Sequence, residues 1–141
     1  AQDINIRDLK PKPAMNRMQK EQVPQLRKLH DAGDVAGYDE RANGLCSDLR
    51  ILVERCVESV LLNDVLIRFR RAVQTQGKIG ALAKINVNDC ALIDDLMTRY
   101  SVFEHSQSDE LPADRPNMDE IEADVAKLAA WIDEFPKRAV A

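Results

Sequence analysis

The sequence predicts an all-α domain, a bundle of four or five helices, and three observations carry that expectation. Apolar residues recur at three- and four-residue spacing in several stretches, the period of one helix face. Aromatic residues make up 4% of the chain, too few for an aromatic-rich sandwich, while Leu, Val, Ile and Ala are plentiful. Two Asn-x-x-acid pairs, Asn86 with Asp89 and Asn117 with Glu120, resemble capping boxes placed just ahead of apolar runs. A length of 141 residues suits one domain with one core.

Residues 1–13 read as an irregular segment. Pro11 and Pro13 exclude an early helix interior, and Ile4 and Ile6 suit the end of a strand belonging to a neighbouring domain. The chain opens with Ala-Gln-Asp rather than Met, so the expectation is a module cut from something longer. Residues 14–138 form its single helical domain.

The first helical stretch, Ala14 to Ala32, has Met15, Met18, Leu26 and Leu29 as its apolar positions. Pro24 must kink or restart it, and Gly33 ends it. Asp34 is placed to cap a long helix, about Tyr38 to Leu62, whose stripe is Leu45, Leu49, Leu52, Val53, Cys56 and Val60. Gly37 and Gly44 weaken it a little. Asn63-Asp64 breaks the chain before a helix expected over Val65–Gln76. Gly77 and Gly80 then lead to a short segment at Ala81–Ile85.

The Asn86/Asp89 pair opens a helix with the stripe Leu92, Leu96, Met97, Tyr100 and Phe103. Between Glu104 and Asp124 stand eight acidic residues and one basic residue, and the two prolines in Leu111–Pro116 mark a loop. The last helix follows Asn117, with Ile121, Val125, Leu128, Ile132 and Phe135 at near-heptad spacing. Its acidic first turn and the Lys137-Arg138 pair beyond its end suit the helix dipole.

The formal charge of −4 argues against nucleic-acid binding by bulk electrostatics. Cys46, Cys56 and Cys90 lie far apart with no metal-ligand spacing, an odd count that fits a reducing cytoplasm. No apolar run is long enough to span a membrane. With His30 and His105 as the two imidazoles, a multi-histidine metal site is excluded. Nothing matches a phosphate-binding loop, a dinucleotide fingerprint or a nucleophile elbow.

Four groups of residues remain as candidates. Arg68-Phe69-Arg70-Arg71 is the basic cluster, placing Arg68, Arg70 and Arg71 as a nucleic-acid contact or, blandly, a solvated helix face. Arg50, Glu54, Arg55 and Glu58 thread the long helix, either as a rim of salt bridges or as a charge cluster facing the Arg99/His105 helix end, with Arg68 or Arg71 as a partner. Trp131, beside Ile132 and Phe135, either covers the bundle edge or anchors a partner protein. Arg99 and His105 stand at an Arg-x5-His spacing. The plain reading is that Arg99 pairs with a nearby acid and His105 caps a helix end.

That spacing is similar to the motif of HEPN-type ribonucleases, small helical bundles that dimerise and set an Arg with a His across the site. The resemblance implies a metal-independent ribonuclease acting on tRNA-like RNA as a homodimer. His105 would move the 2′-hydroxyl proton, Arg99 would steady the phosphorane charge, and Glu54 would orient them.

A second resemblance covers about residues 15–138. It runs through Leu49–Glu58, Leu61-Leu62-Asn63, Arg68–Arg71, Ile85–Asp89, Met97–Ser101 with Glu104-His105, and Glu120–Asp124 ahead of Trp131. This series resembles the C-terminal region of large bacterial AAA-type ATPases of the SMC/RecF-like, coiled-coil kind. Such relatives often carry Lys where this chain has Arg99. The resemblance implies a non-catalytic interaction or regulatory module in a DNA-repair-like or phage-defence machine. It would dock on the parent ATPase head or a second protein through Ile121–Phe135. No cofactor is expected in this chain; ATP and Mg would sit in the parent head.

Overall fold

A computed structural model describes residues 9–65, 78–101 and 115–139. Their elements are α1 (Pro11–Arg17), a π-turn (Met18–Gln22), α2 (Val23–Asp31), α3 (Val35–Cys56) and a second π-turn (Val57–Leu61). A 3-10 turn (Ile79–Lys84), α4 (Val87–Arg99), α5 (Met118–Glu134) and a closing 3-10 turn (Phe135–Lys137) follow. The fold is an all-α bundle, with no strand among the described residues.

The first helix begins at Pro11, three residues earlier than the prolines suggested. Both prolines fall in its first turn, where a backbone N–H would have no intrahelical partner anyway. Pro24 marks a restart, as expected: it falls in the first turn of α2, which begins at Val23. The π-turn before it lets the Val23 N–H reach the Met18 carbonyl, five residues back. This wide turn shifts the register just before the residue that has no N–H to give.

Gly33 takes φ +72° to end α2, a conformation that side chains resist. Asp34 then caps α3, its Oδ1 accepting from the Gly37 N–H at 3.0 Å. A Cβ at position 37 would lie 2.5 Å from the other carboxylate oxygen, so Gly37 makes room for the cap rather than merely weakening the helix. Asn63 and Asp64, both left-handed (φ 50° and 59°), stop the run after the second π-turn.

α3 is the axis of the bundle, packed by α1, α2, α4 and α5. Leu45, Cys46, Leu49, Leu52, Val53 and Cys56 are buried along it. Around them gather Met15, Met18 and Leu26, then Leu96 and Tyr100, then Ile121, Val125, Leu128 and Phe135, in one contiguous core. Of the stripe expected on α4, Leu96 and Tyr100 are in the core and Leu92 and Met97 pack against it, while Ile93 and Asp89 were not expected there. Asp89, Ile93 and Leu96 are buried, with Tyr100 just beyond them, whereas Leu92 and Met97 are half-covered. The α-helix ends at Arg99, and Phe103 lies outside the described residues. Residues 66–77, where a helix was expected, lie outside the described residues. No helix among the described residues is long and apolar enough to cross a membrane.

Candidate functional site

Two clusters of charge tie α4 to the C-terminal helix. At its C-terminal end, Arg99 Nη1 donates to Asp124 Oδ1 at 2.7 Å, and the Tyr100 hydroxyl donates to Asp124 Oδ2 at 2.7 Å. Asp124 comes from the apolar face of α5, one turn after Ile121, and only 3% of its side chain is exposed. Burial works against the Arg99 charge, but the Asp124 carboxylate outweighs it and holds the pKa of Arg99 up. Tyr100 is raised well above its ordinary range by burial and by Asp124. Arg99 therefore stays ionised and Tyr100 a neutral phenol.

Arg50 approaches the same end from α3. Its Nη1 donates to the Met97 carbonyl at 2.6 Å, satisfying one of the last carbonyls of α4, and its Nε lies 3.4 Å from Glu54. Arg50 is buried, not a member of an exposed rim. A buried guanidinium requires such partners, and they set the position of α3 against α4.

The second cluster sits at the start of α4. Asp89, 2% exposed, completes the capping box by accepting from the Asn86 N–H at 2.8 Å. Both of its oxygens also accept from Arg138, at 2.7 and 3.0 Å, and Oδ1 accepts from Trp131 Nε1 at 3.0 Å. Arg138 further donates to Glu134 and to the Lys84 carbonyl, and its guanidinium lies over the Phe135 ring. Burial alone would raise the pKa of Asp89. The bonds from Arg138, Asn86 and Trp131 outweigh it and hold the carboxyl below its ordinary range.

A third anchor joins α3 to the entry of α5. Arg115 Nη2 donates to Asp39 at 2.7 Å and Nη1 to Asn43 at 3.1 Å, with the guanidinium over the Tyr38 ring. Arg27 on α2 reaches Asp119 and Glu122 at the start of α5.

These positions revise several expectations. Trp131, Ile132 and Phe135 were candidates for a partner-binding anchor; they are 7%, 4% and 1% exposed and belong to the core. Their period faces α5 inward, and the indole N–H donates to Asp89. Glu54 pairs with Arg50, and Arg99 with Asp124. His105 and the basic residues Arg68, Arg70 and Arg71 lie outside the described residues.

Sequence reasoning missed Asp124, Arg138 and Arg115. A signal existed for Asp124: an acid at i+3 from Ile121 and next to Val125 interrupts an apolar stripe, and a buried acid needs a cation. No comparable signal marks the ties of Arg138 to Asp89 or Arg115 to Asp39, which span 49 and 76 residues.

Two of the surface clefts among the described residues are of about 300 Å³. One of about 330 Å³ lies between the first π-turn and α3, lined by Arg17, Glu21, Gln22, Gln25, Arg41 and Asp48. In it Arg17 pairs with Glu21 and Arg41 donates to Gln25, while Gln22 Oε1 is buried with no hydrogen-bond donor among the described residues. The other, about 310 Å³, runs between α1 and α5 over Ala126, Ala129 and Ala130, with the Lys12–Asp133 pair at its lip. Among the described residues no group of three or more His, Cys, Asp or Glu side chains is placed to hold a metal. Cys46 and Cys56 are buried, and burial pushes both thiols up to about 12. They pack as small hydrophobes. Comparison with protein-family models, with characterised proteins and with solved structures finds no match to this chain.

Proposed function

We propose that this chain is a non-catalytic interaction or regulatory module, acting at the C-terminus of an SMC-like AAA ATPase in a DNA-repair-like or phage-defence process. The observation that carries the reading is the commitment of Arg99. The cation best placed to steady a phosphorane is held at 2.7 Å by a buried carboxylate, in a cluster that joins two helices. Glu54 is likewise engaged by Arg50. Charges used this way position helices and have little left to give a substrate. Docking then uses the outer face of α5, where Glu120, Glu122, Lys127 and Asp133 are exposed, instead of its buried aromatic end.

The test begins with the gene upstream of the codon for Ala1. A reading frame carrying GxxxxGK[ST], a coiled-coil stretch and a Walker B strand supports the reading. ATP turnover by that protein should then change when residues 1–141 are removed. Unchanged turnover and no binding between the separated parts would reject it.

One observation favours a second reading. Arg99 keeps 36% of its side chain in solvent despite its partner, so an RNA phosphate can still approach it. A HEPN-like ribonuclease using His105 with Arg99 predicts metal-independent RNA cleavage that His105→Ala abolishes in a folded protein. Cleavage that persists in that variant counts against it.

A further inference from the structure

We propose that the cleft of about 330 Å³ between the first π-turn and α3 binds a free α-amino acid, its ammonium on Gln22 and its carboxylate on Arg41. This goes beyond the docking reading and does not depend on it. Three separate features of the cleft meet in it.

The first is an acceptor with nothing to accept. Gln22 Oε1 is buried and has no donor among the described residues. An oxygen in that state has given up bulk water without gaining a protein bond, so it favours whatever brings an N–H or O–H into the cleft. Gln22 is the last residue of the π-turn Met18–Gln22, a geometry that recurs at functional sites.

The second is a missing side chain. Gly44 stands in the interior of α3, where glycine is a poorer helix former than alanine or leucine. A Cβ at that position meets nothing within 4 Å among the described residues, so no neighbour forbids a larger residue. Gly44 is part of the cleft wall. Position 44 gives up helix stability and keeps the cleft open.

The third is a balance of charge. Arg17 and Arg41 bring two cations to the lining, and Glu21 and Asp48 bring two carboxylates. Arg17 meets Glu21 at 3.2 Å, whereas Arg41 donates at 2.9 Å to Gln25 Oε1, a neutral acceptor. A guanidinium offers five N–H donors in a fork that matches a carboxylate. A purely anionic ligand would face Glu21 and Asp48, and a purely cationic one would face both arginines. A zwitterion answers both signs at once, donating from its ammonium to Gln22 Oε1 and accepting from Arg41 through its carboxylate. Cavities that hold small ligands begin at about 300 Å³, so this one suits a molecule of amino-acid size.

Calorimetric titration of the full 141-residue chain with each standard L-amino acid tests this. At least one should bind with a Kd below about 1 mM. Its N-acetyl derivative, which has no ammonium, and its amide, which has no carboxylate, should each bind at least about tenfold more weakly. Gly44→Leu should abolish binding and leave the melting temperature at or above that of the unsubstituted chain, since leucine is the better helix former. If no amino acid binds at up to about 10 mM, water alone meets Gln22 and the proposal is overturned. Binding that Gly44→Leu leaves unchanged, or a derivative that binds as tightly as its parent, overturns it too. If Gly44→Leu does not fold, Arg41→Gln on the exposed rim takes its place. Affinity must then fall about tenfold, and an unchanged affinity overturns the proposal.

Discussion

The two capping boxes of this chain are alike in sequence and unlike in consequence. Asn86/Asp89 and Asn117/Glu120 both close a reciprocal pair of bonds between an Asn side chain, an acid three residues on, and two backbone N–H groups. Glu120 is exposed and acts within its own turn. Asp89 is buried, and the same carboxylate that caps α4 also receives Trp131 and Arg138 from the far end of the chain. A cap is a local device worth about 1 kcal/mol. Sunk into a core with a cation and an indole beside it, it becomes a joint between helices.

The largest effect expected from this contrast is the loss of Asp89. Asp89→Ala removes the cap and leaves Arg138 and the Trp131 N–H without their buried acceptor. The sum should be about 4 kcal/mol, in the range for breaking a buried pair. For a domain of this size that lowers the melting temperature by about 10 °C. Glu120→Ala removes one exposed reach-back bond and should cost less than about 1 kcal/mol. Thermal unfolding of both variants checks the ratio. Equal losses would show that burial adds nothing to the cap.

Acid should separate the joint from the rest of the bundle next. Because the folded-state pKa of Asp89 lies below its unfolded value, the stability it contributes is fully present above the ordinary carboxylate range, near 4. It is lost as pH falls through the depressed folded value. Urea unfolding between about pH 6 and pH 3 should therefore show a steep acid limb. Asp89→Asn should flatten that limb without removing it, since Glu134 is also held low, chiefly by its bond from Arg138. A limb unchanged by the substitution would place the acid sensitivity elsewhere.

A smaller effect isolates one bond of the joint. Trp131→Phe keeps an aromatic ring against Phe135, whose centroid lies 5.0 Å away, and deletes the N–H that Asp89 accepts. The expected cost is about 1–2 kcal/mol, part of it from lost ring area. In a double-mutant cycle with Asp89→Asn most of it should disappear. Additive costs would mean that the indole acts by packing alone.

The same contrast explains what could be read from the sequence. Helix class, both capping boxes, the Asp34 cap and the stop at Gly33 depend on residues within a turn of each other, and their spacing is visible in the chain. The core face of α5 was legible for the same reason. On α4 the expected stripe found Leu96 and Tyr100 and the half-covered Leu92 and Met97, but missed Ile93 and Asp89. Asp89 and Tyr100 define the buried face, and a stripe that begins with an acid is invisible to hydrophobic periodicity. Trp131 was read as an anchor on equal terms because its partner is a carboxylate 42 residues away. Arg99 was legible as a candidate, but its tie to Asp124 was not, since pairing across 25 residues leaves no local mark. Local rules find the elements; long-range polar joints become visible only when the helices are placed.

The smallest effect makes the two boxes chemically identical. Glu120→Asp gives the α5 start the same Asn-x-x-Asp pair that opens α4. If the joint at Asp89 arises from sequence-local chemistry, the new box should gain comparable strength. The surroundings argue otherwise. The side chain at 120 points to solvent, and Arg27, the cation near this end of α5, is already engaged by Asp119 and Glu122. The substitution should shift stability by less than about 0.5 kcal/mol, because both acids reach the Asn117 N–H and neither meets a buried donor. Helix-start exchange rates and melting temperature should stay close to those of the original chain. A gain of more than about 1 kcal/mol would mean that the motif itself, rather than the burial of Asp89 beside Arg138 and Trp131, sets the strength of the cap.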